Sequence, residues 1–349
     1  MNYSEKYYSF IDLEKLKSKY FDDRSLISGN FDKIIVIGIG GSSQGSKAIN
    51  SFLNEDRVIY FDNLNFHFIN KTLNSINLEK TGFIFISKSG ATSEILTLFD
   101  YLVGELENKI NISNHFFTIT EIKSSPLHDL SVHKSIGIIE HDKDIGGRFS
   151  IFSNASMIPG FMFNEKIVTS FFIGAEEGES GDSMALAVEK AKLITGPGLK
   201  NINAILVYGD ELIETANWLK QLYAESLGKK GEGFMPVVSQ MPQDQHSLMQ
   251  LYIDGPKNIF FEILSMQYRE SNFINLTLNN HRDAMFSTLK QQDLTITPLG
   301  KIQEFSEKSI STLGEFFYAK MVEVIQLAEI LEIDPFTQDA VEIQKNFLK

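Results

Sequence analysis

Glycines and hydroxyls gather in two short segments, Gly38-Ile39-Gly40-Gly41-Ser42-Ser43 and Ser87-Lys88-Ser89-Gly90-Ala91-Thr92. One follows the apolar run Lys33 to Ile37, the other Phe83 to Ile86, and each opens into a helical pattern. Glycine lets a backbone approach an anion closely, and a helix N-terminus offers unpaired N–H groups in a favourable dipole. Ser42, Ser87, Ser89 and Thr92 add hydroxyl donors. Two such loops in one domain describe a pocket for a phosphorylated small molecule. The first loop also imitates a dinucleotide fingerprint, with Asp62 closing the next strand. The third glycine of that fingerprint falls on Ser43, however, and the second loop would stay unexplained. Taken alone, the second loop also reads as a helix start with ordinary capping hydroxyls.

Acid, base and cation chemistry has its own candidates. Gly146-Gly147-Arg148 follows an apolar strand and the acidic turn of Asp142 and Asp144. Arginine carries a permanent charge and forked donors, so Arg148 suits a developing oxyanion or a substrate hydroxyl. An exposed arginine on a glycine turn is the plainer alternative. Glu225 ends the helical pattern that Gly228 terminates. It therefore faces the negative pole of the helix dipole, which favours a carboxylate that takes up a proton. Gln221 lies four residues earlier on the same face, placed to orient the carboxylate or a substrate; two polar residues on a solvated stripe are the alternative. Asp244-Gln245-His246-Ser247 starts another helix after a loop containing Pro242, leaving His246 free to project toward another domain or subunit. Among seven histidines there is no H-E-x-x-H, paired histidine or cysteine ligand, so no catalytic metal is expected.

These residues need a frame. At 349 residues the chain exceeds the usual ceiling for one core, which favours two domains. Apolar residues at 43% and charged residues at 22% are ordinary globular values, and no apolar run approaches a membrane span. With no signal-peptide pattern at the start and no cysteine, the expectation is a soluble, cytoplasmic protein without disulfides. A formal charge of −13 repels nucleic acid and anionic membranes alike, so an anionic substrate needs a locally positive site.

Short apolar strands are predicted at Ile34 to Ile39, Val58 to Asp62, Phe83 to Ser87, His115 to Thr120 and Ile136 to His141, with helices at Ser46 to Leu53 and Thr92 to Leu106. This is the alternation of a buried parallel sheet. After a boundary near Asn164 the alternation returns. Ala204 to Tyr208 and Asn258 to Leu264 read as strands, and Glu211 to Ser226, Ser247 to Ile253 and Leu313 to Leu331 as helices. The glycine-rich acidic segment Gly174 to Asp182 reads as a loop. A helix over Ser183 to Ile194 follows it, stopped by Thr195-Gly196-Pro197-Gly198. The fold class is α/β with two parallel-sheet domains.

In this order the motifs resemble the phosphoglucose isomerase family. The resemblance runs from Gly38-Ile39-Gly40-Gly41-Ser42 through Ser87-Lys88-Ser89-Gly90-Ala91-Thr92, Gly146-Gly147-Arg148-Phe149-Ser150, Gln221 with Glu225-Ser226-x-Gly228-Lys229, and Gln245-His246, to Gln338 with Lys345 seven residues on. It implies two sugar-isomerase (SIS) three-layer αβα domains with mainly parallel sheets. The first is expected over residues 28–164 and the second over 165–330, after an N-terminal segment 1–27 and before a helical C-terminal tail 331–349 that contributes to the active site.

The implied activity is cofactor-free interconversion of glucose 6-phosphate and fructose 6-phosphate through a cis-enediol. The implied phosphate grip is Gly41, Ser42, Ser87, Ser89 and Thr92, with Lys88 adding charge or positioning the loop. Glu225 is the implied base, Arg148 the stabiliser of charge on oxygen, and His246 and Lys345 the groups that open the sugar ring, with Gln221 and Gln338 orienting hydroxyls. A homodimer is also implied, with the histidine reaching the partner's site. Ser89 replaces a common threonine, Asp244 replaces a common glycine beside the histidine, and many members have an N-terminal helical extension that this chain largely lacks. Within the same fold, a dual phosphoglucose and phosphomannose isomerase and a noncatalytic sugar-phosphate sensor are the alternatives.

Overall fold

Lys33–Ile37 (β1), Val58–Phe61 (β2), Thr81–Ile86 (β3), Phe116–Thr120 (β4) and Gly137–Glu140 (β5) form an all-parallel sheet in the computed structural model, in the order β2-β1-β3-β4-β5. The structure describes residues 11–179, 183–269, 272–297, 300–306 and 309–345, without the side chains of residues 342, 344 and 345. The chain divides between Thr169 and Ser170 into two compact units. In the first unit, successive residues of β1 and β3 point to opposite faces, yet Ile34 to Ile37 and Phe83 to Ile86 are all fully buried. Both faces are therefore covered, as a parallel sheet requires. On one face Ile35, Ile37, Phe83 and Phe85 pack with Ile69 and Leu73 of Phe66–Ser75 (α3) and with Ile95, Phe99 and Leu102 of Ser93–Leu106 (α4). Gln44–Phe52 (α2) packs on Asn154–Gly160 (α6), and Pro126–His133 (α5) joins β4 to β5. Leu13–Arg24 (α1) docks on α6, where Asn154 donates to Asp23 at 2.6 Å.

The second unit repeats the plan. Ile202–Tyr208 (β6), Met235–Met241 (β7), Ile259–Gln267 (β8), Ile296–Thr297 (β9) and Gln303–Ser306 (β10) are all parallel, in the order β10-β8-β6-β7 with β9 beside β8. The helices are Val168–Glu179 (α7), Ser183–Thr195 (α8), Ile213–Leu227 (α9), Gln245–Asp254 (α10), Phe273–Gln291 (α11), Ile310–Ile330 (α12) and Ala340–Lys345 (α13). Trp218 of α9 meets Phe317 of α12 edge-on at 4.6 Å, which seats the middle of α9 against the longest helix. No helix among the described residues is long and apolar enough to cross a membrane.

The loop expected over Gly174 to Asp182 is a correction: residues through Glu179 are helical, in α7, and Ser180 to Asp182 lie outside the described residues. The glycines there are packing residues rather than breakers. A Cβ on Gly174 would stand 1.9 Å from the Ser311 carbonyl oxygen, and one on Gly314 2.0 Å from that of Phe171. Only bare backbones let α7 and α12 approach so closely, and that contact outweighs glycine's helix cost of about 1 kcal/mol. Strand β7 went unpredicted because Pro236, Ser239 and Gln240 interrupt its apolar pattern. It is an edge strand, where proline is tolerated.

Candidate active site

In the first unit, β1 and β3 are neighbours whose register pairs Ile37 with Phe85. The segments that follow them therefore emerge side by side at the carboxyl edge of the sheet. Because β2 lies on one side of β1 and β3 on the other, this is the switch point where open α/β sheets form their ligand crevices. Gly40–Ser42 makes a 3-10 turn leading into α2, and Ser87 to Thr92 lead into α4. Both helices therefore aim their positive ends at that edge. The Thr92 side chain makes no cap bond to α4; its Oγ1 lies 2.9 Å from Oγ of Ser87, so the two hydroxyls are paired across the loop. Ser89 is exposed and its Oγ accepts from the Ala91 amide at 3.2 Å, while Ser42 is half-buried.

The third motif closes on the first. Ser150 Oγ donates to the Gly41 carbonyl at 3.1 Å, and a Cβ on Gly41 would fall 2.3 Å from the Gly147 carbonyl carbon. Gly41 is thus demanded by backbone contact, and the pair Gly41 and Gly147 holds Gly146-Gly147-Arg148 beside the first loop. Arg148 is 2% exposed, which removes the reading of an arginine waving in solvent. Burial pushes the Lys88 ammonium below its ordinary value, with Glu121 and Asp144 opposing. Beside it, burial pushes the His141 imidazole down, and Lys88 adds to this. Its Nδ1 lies 3.0 Å from the Asp142 carbonyl oxygen, and a neutral ring so placed carries its proton on Nδ1. Asp62 accepts from Lys47 at 2.8 Å rather than standing ready for a ribose. A hollow of about 600 Å³ lined by Glu79, Lys109, Asn111 and His115 sits at the amino ends of β3 and β4, away from these loops.

In the second unit, α9 leaves the carboxyl end of β6 and runs back, so its last turn lies at the amino edge of the sheet. There Gln221 Nε2 donates to Glu225 Oε1 at 2.8 Å. Glu225, Gly228, Lys229, Asp334, Gln338 and Asp339 line a cavity of about 660 Å³. Gly228 holds the C-cap position with φ −74°, and its N–H bonds to the Ala224 carbonyl. Lys229 Nζ bonds to the carbonyls of Glu225 and Ser226, each at 2.9 Å, and so neutralises the helix end. A lysine just past a helix-ending glycine is the sequence signal for this role of Lys229. The backbone of Lys345 lies in α13, and its side chain is outside the described residues.

His246 is not brought to Glu225 within this unit. It follows β7, in the first turn of α10, exposed at the carboxyl edge. Seven residues of β7 separate the two edges, about 20 Å at 3.3 Å per residue. Gln245 next to it donates from Nε2 to Tyr208 OH at 2.9 Å, and its Oε1 lies 3.1 Å from Nδ1 of His281. Asp244 accepts from the Gln240 amide at 2.8 Å and lies 3.2 Å from the Ser247 hydroxyl, so the turn itself occupies its charge.

The family model described as phosphoglucose isomerase matches residues 13–323. A glucose-6-phosphate isomerase from Campylobacter jejuni is 30% identical over 345 residues, covering 90% of this chain and 84% of that protein. A probable glucose-6-phosphate isomerase from Methanococcus maripaludis is 28% identical, covering 97% and 82%. Among solved structures, a hypothetical protein from Thermus thermophilus superposes with a TM-score of 0.83 at 22% identity, over 100% of this chain and 89% of that one. A glucose-6-phosphate isomerase from Chlamydia trachomatis gives 0.71 at 22% identity, over 96% and 72%. At these identities the structural likeness speaks for the fold alone.

Proposed function

The chain belongs to the phosphoglucose isomerase family, and on that footing we propose that it interconverts glucose 6-phosphate and fructose 6-phosphate, an aldose–ketose isomerisation needing no cofactor. The observation that carries this reading is Glu225, held by Gln221 at 2.8 Å in a cavity it shares with Gln338. A carboxylate aimed by an amide is what proton transfer between adjacent carbons requires, because the base must meet both carbons without moving far.

In this reading Ser42, Ser87, Ser89 and Thr92 grip the phosphate together with the backbone at Gly41, and Lys88 supplies charge. His246 and Lys345 handle the protons of ring opening. Glu225 then takes the proton from C2, leaving a cis-enediol, and returns it to C1, while Arg148 holds the charge developing on oxygen. Gln221 and Gln338 orient hydroxyls. The reading extends to a cytoplasmic homodimer serving glycolysis and gluconeogenesis, with His246 acting in the partner's site. The separation of His246 from Glu225 within the second unit supports that sharing.

Fructose 6-phosphate supplied to the purified protein, without added metal or nicotinamide, should yield glucose 6-phosphate. Mannose 6-phosphate run alongside decides whether the enzyme is dual. Binding of these esters with no interconversion would instead favour a sensor. Within the proposed phosphate grip, Ser87→Ala removes a hydroxyl that in this reading bonds a charged phosphate, a contact worth about 1.5 to 3 kcal/mol. KM should rise roughly tenfold or more, with kcat less affected. An unchanged KM takes Ser87 out of the phosphate site.

A further inference from the structure

Four charged side chains of the second unit are almost without solvent: Lys190 on α8 (1% exposed), Glu262 on β8 (1%), and Lys320 (4%) and Glu323 (0%) on α12. They close a square of alternating sign. Lys190 Nζ lies 2.8 Å from Glu262 and 2.5 Å from Glu323, and Lys320 Nζ lies 3.1 Å from Glu262 and 2.8 Å from Glu323. Burial alone would raise the Glu262 carboxyl, but Lys190 and Lys320 outweigh it and hold it at about 2. Burial alone would lower the Lys320 ammonium, and Glu262 and Glu323 drive it up instead.

Such a square is a weak source of stability, since desolvation offsets much of the Coulomb attraction. What it offers is direction. Its bonds tie three elements together, and a fourth, α9, enters through Tyr223. The Tyr223 hydroxyl, itself buried, lies 3.0 Å from Oε1 of Glu262 and 3.3 Å from Oε1 of Glu323, and it accepts from Lys190. Asn203 on β6 donates to Glu262 at 2.7 Å from another side.

Tyr223 stands two residues before Glu225, in the closing turns of α9. Residues two apart on a helix project about 200° apart, so Tyr223 enters the core while Glu225 faces the cavity. We propose that Tyr223 is a positioning residue for Glu225: its hydroxyl, seated in the buried charge square, sets the rotation and height of the end of α9 and thereby the place of the carboxylate. The proposal rests on the reading of Glu225 as the base.

Tyr223→Phe keeps the ring and its edge contact with Phe234 at 5.1 Å, and removes only the hydroxyl. A carboxylate displaced by a fraction of an ångström should lower kcat by about tenfold, with KM within about twofold of the wild type. Amide exchange over residues 224–228 should accelerate while that of β6 and β8 does not. Asn203→Leu is the comparison, because it breaks a bond of the same network that runs to Glu262 and not to Tyr223, and its kcat should equal the wild type's.

A Tyr223→Phe enzyme with wild-type kcat overturns the proposal, even if its Tm falls. So does an Asn203→Leu enzyme that loses as much kcat as Tyr223→Phe. Should Tyr223→Phe fail to fold, exchange in the wild type decides: an end of α9 that exchanges far faster than its middle is not anchored. A wild-type protein that does not isomerise sinks the function itself, whereas an active wild type with an indifferent Tyr223→Phe sinks only this inference.

Discussion

Replacing Glu225 with glutamine is expected to lower kcat by roughly 10² to 10⁴, the usual contribution of a general base, or about 2.7 to 5.4 kcal/mol of barrier. The substitution is nearly isosteric. The new amide oxygen can still accept from Gln221, which now donates to Glu225 Oε1 at 2.8 Å, so the end of α9 should hold its shape. Lys229 binds the main-chain carbonyls of Glu225 and Ser226, and those bonds survive as well. The loss should therefore fall on kcat, with KM for fructose 6-phosphate close to the wild-type value. Exchange of the C2 hydrogen with solvent should be lost in parallel, because the proposed mechanism has the same group remove and return that proton. Turnover within a few-fold of the wild type would assign the proton transfer to another residue.

Mixing two crippled enzymes should restore activity. Glu225→Gln and His246→Asn each remove one half of the proposed proton-transfer set, and each homodimer should be nearly inactive. If His246 serves the partner's site, a mixed dimer holds one site lacking both groups and one site with both intact. Random exchange of subunits in a closed two-fold dimer then gives about a quarter of wild-type activity per chain. The geometry behind this expectation lies in one unit: Glu225 at the amino edge of the second sheet, His246 at the carboxyl edge, separated by the length of β7. On the proposed sharing, activity should also depend on concentration, falling as dimers dissociate on dilution. A mixture no more active than its parents, together with activity per chain that does not change on dilution, would put His246 outside a shared site.

Much of the frame was legible in the sequence for a definite physical reason. A parallel sheet buried on both faces demands unbroken apolar runs, and Ile34 to Ile37, Phe83 to Ile86 and Ala204 to Tyr208 announce their strands with no help from the rest of the chain. Glycine and hydroxyl loops at strand ends are similarly local, since a turn and a helix start depend on neighbouring residues. The pairing of Gln221 with Glu225 follows from helical spacing alone.

Tertiary structure decided everything that depended on what a residue meets across space. Gly174 reads as part of a loop until another backbone is found where its side chain would be. Arg148 has the same local signature exposed or buried, and only the packing of Gly41 on Gly147 decides between them. The charges of Lys190, Glu262, Lys320 and Glu323 are scattered over 134 positions of sequence and look like surface residues one at a time. Local propensity records a residue's preference for a backbone shape, whereas burial and ion pairing depend on which distant segment arrives opposite, and that is set only when the sheets and helices close.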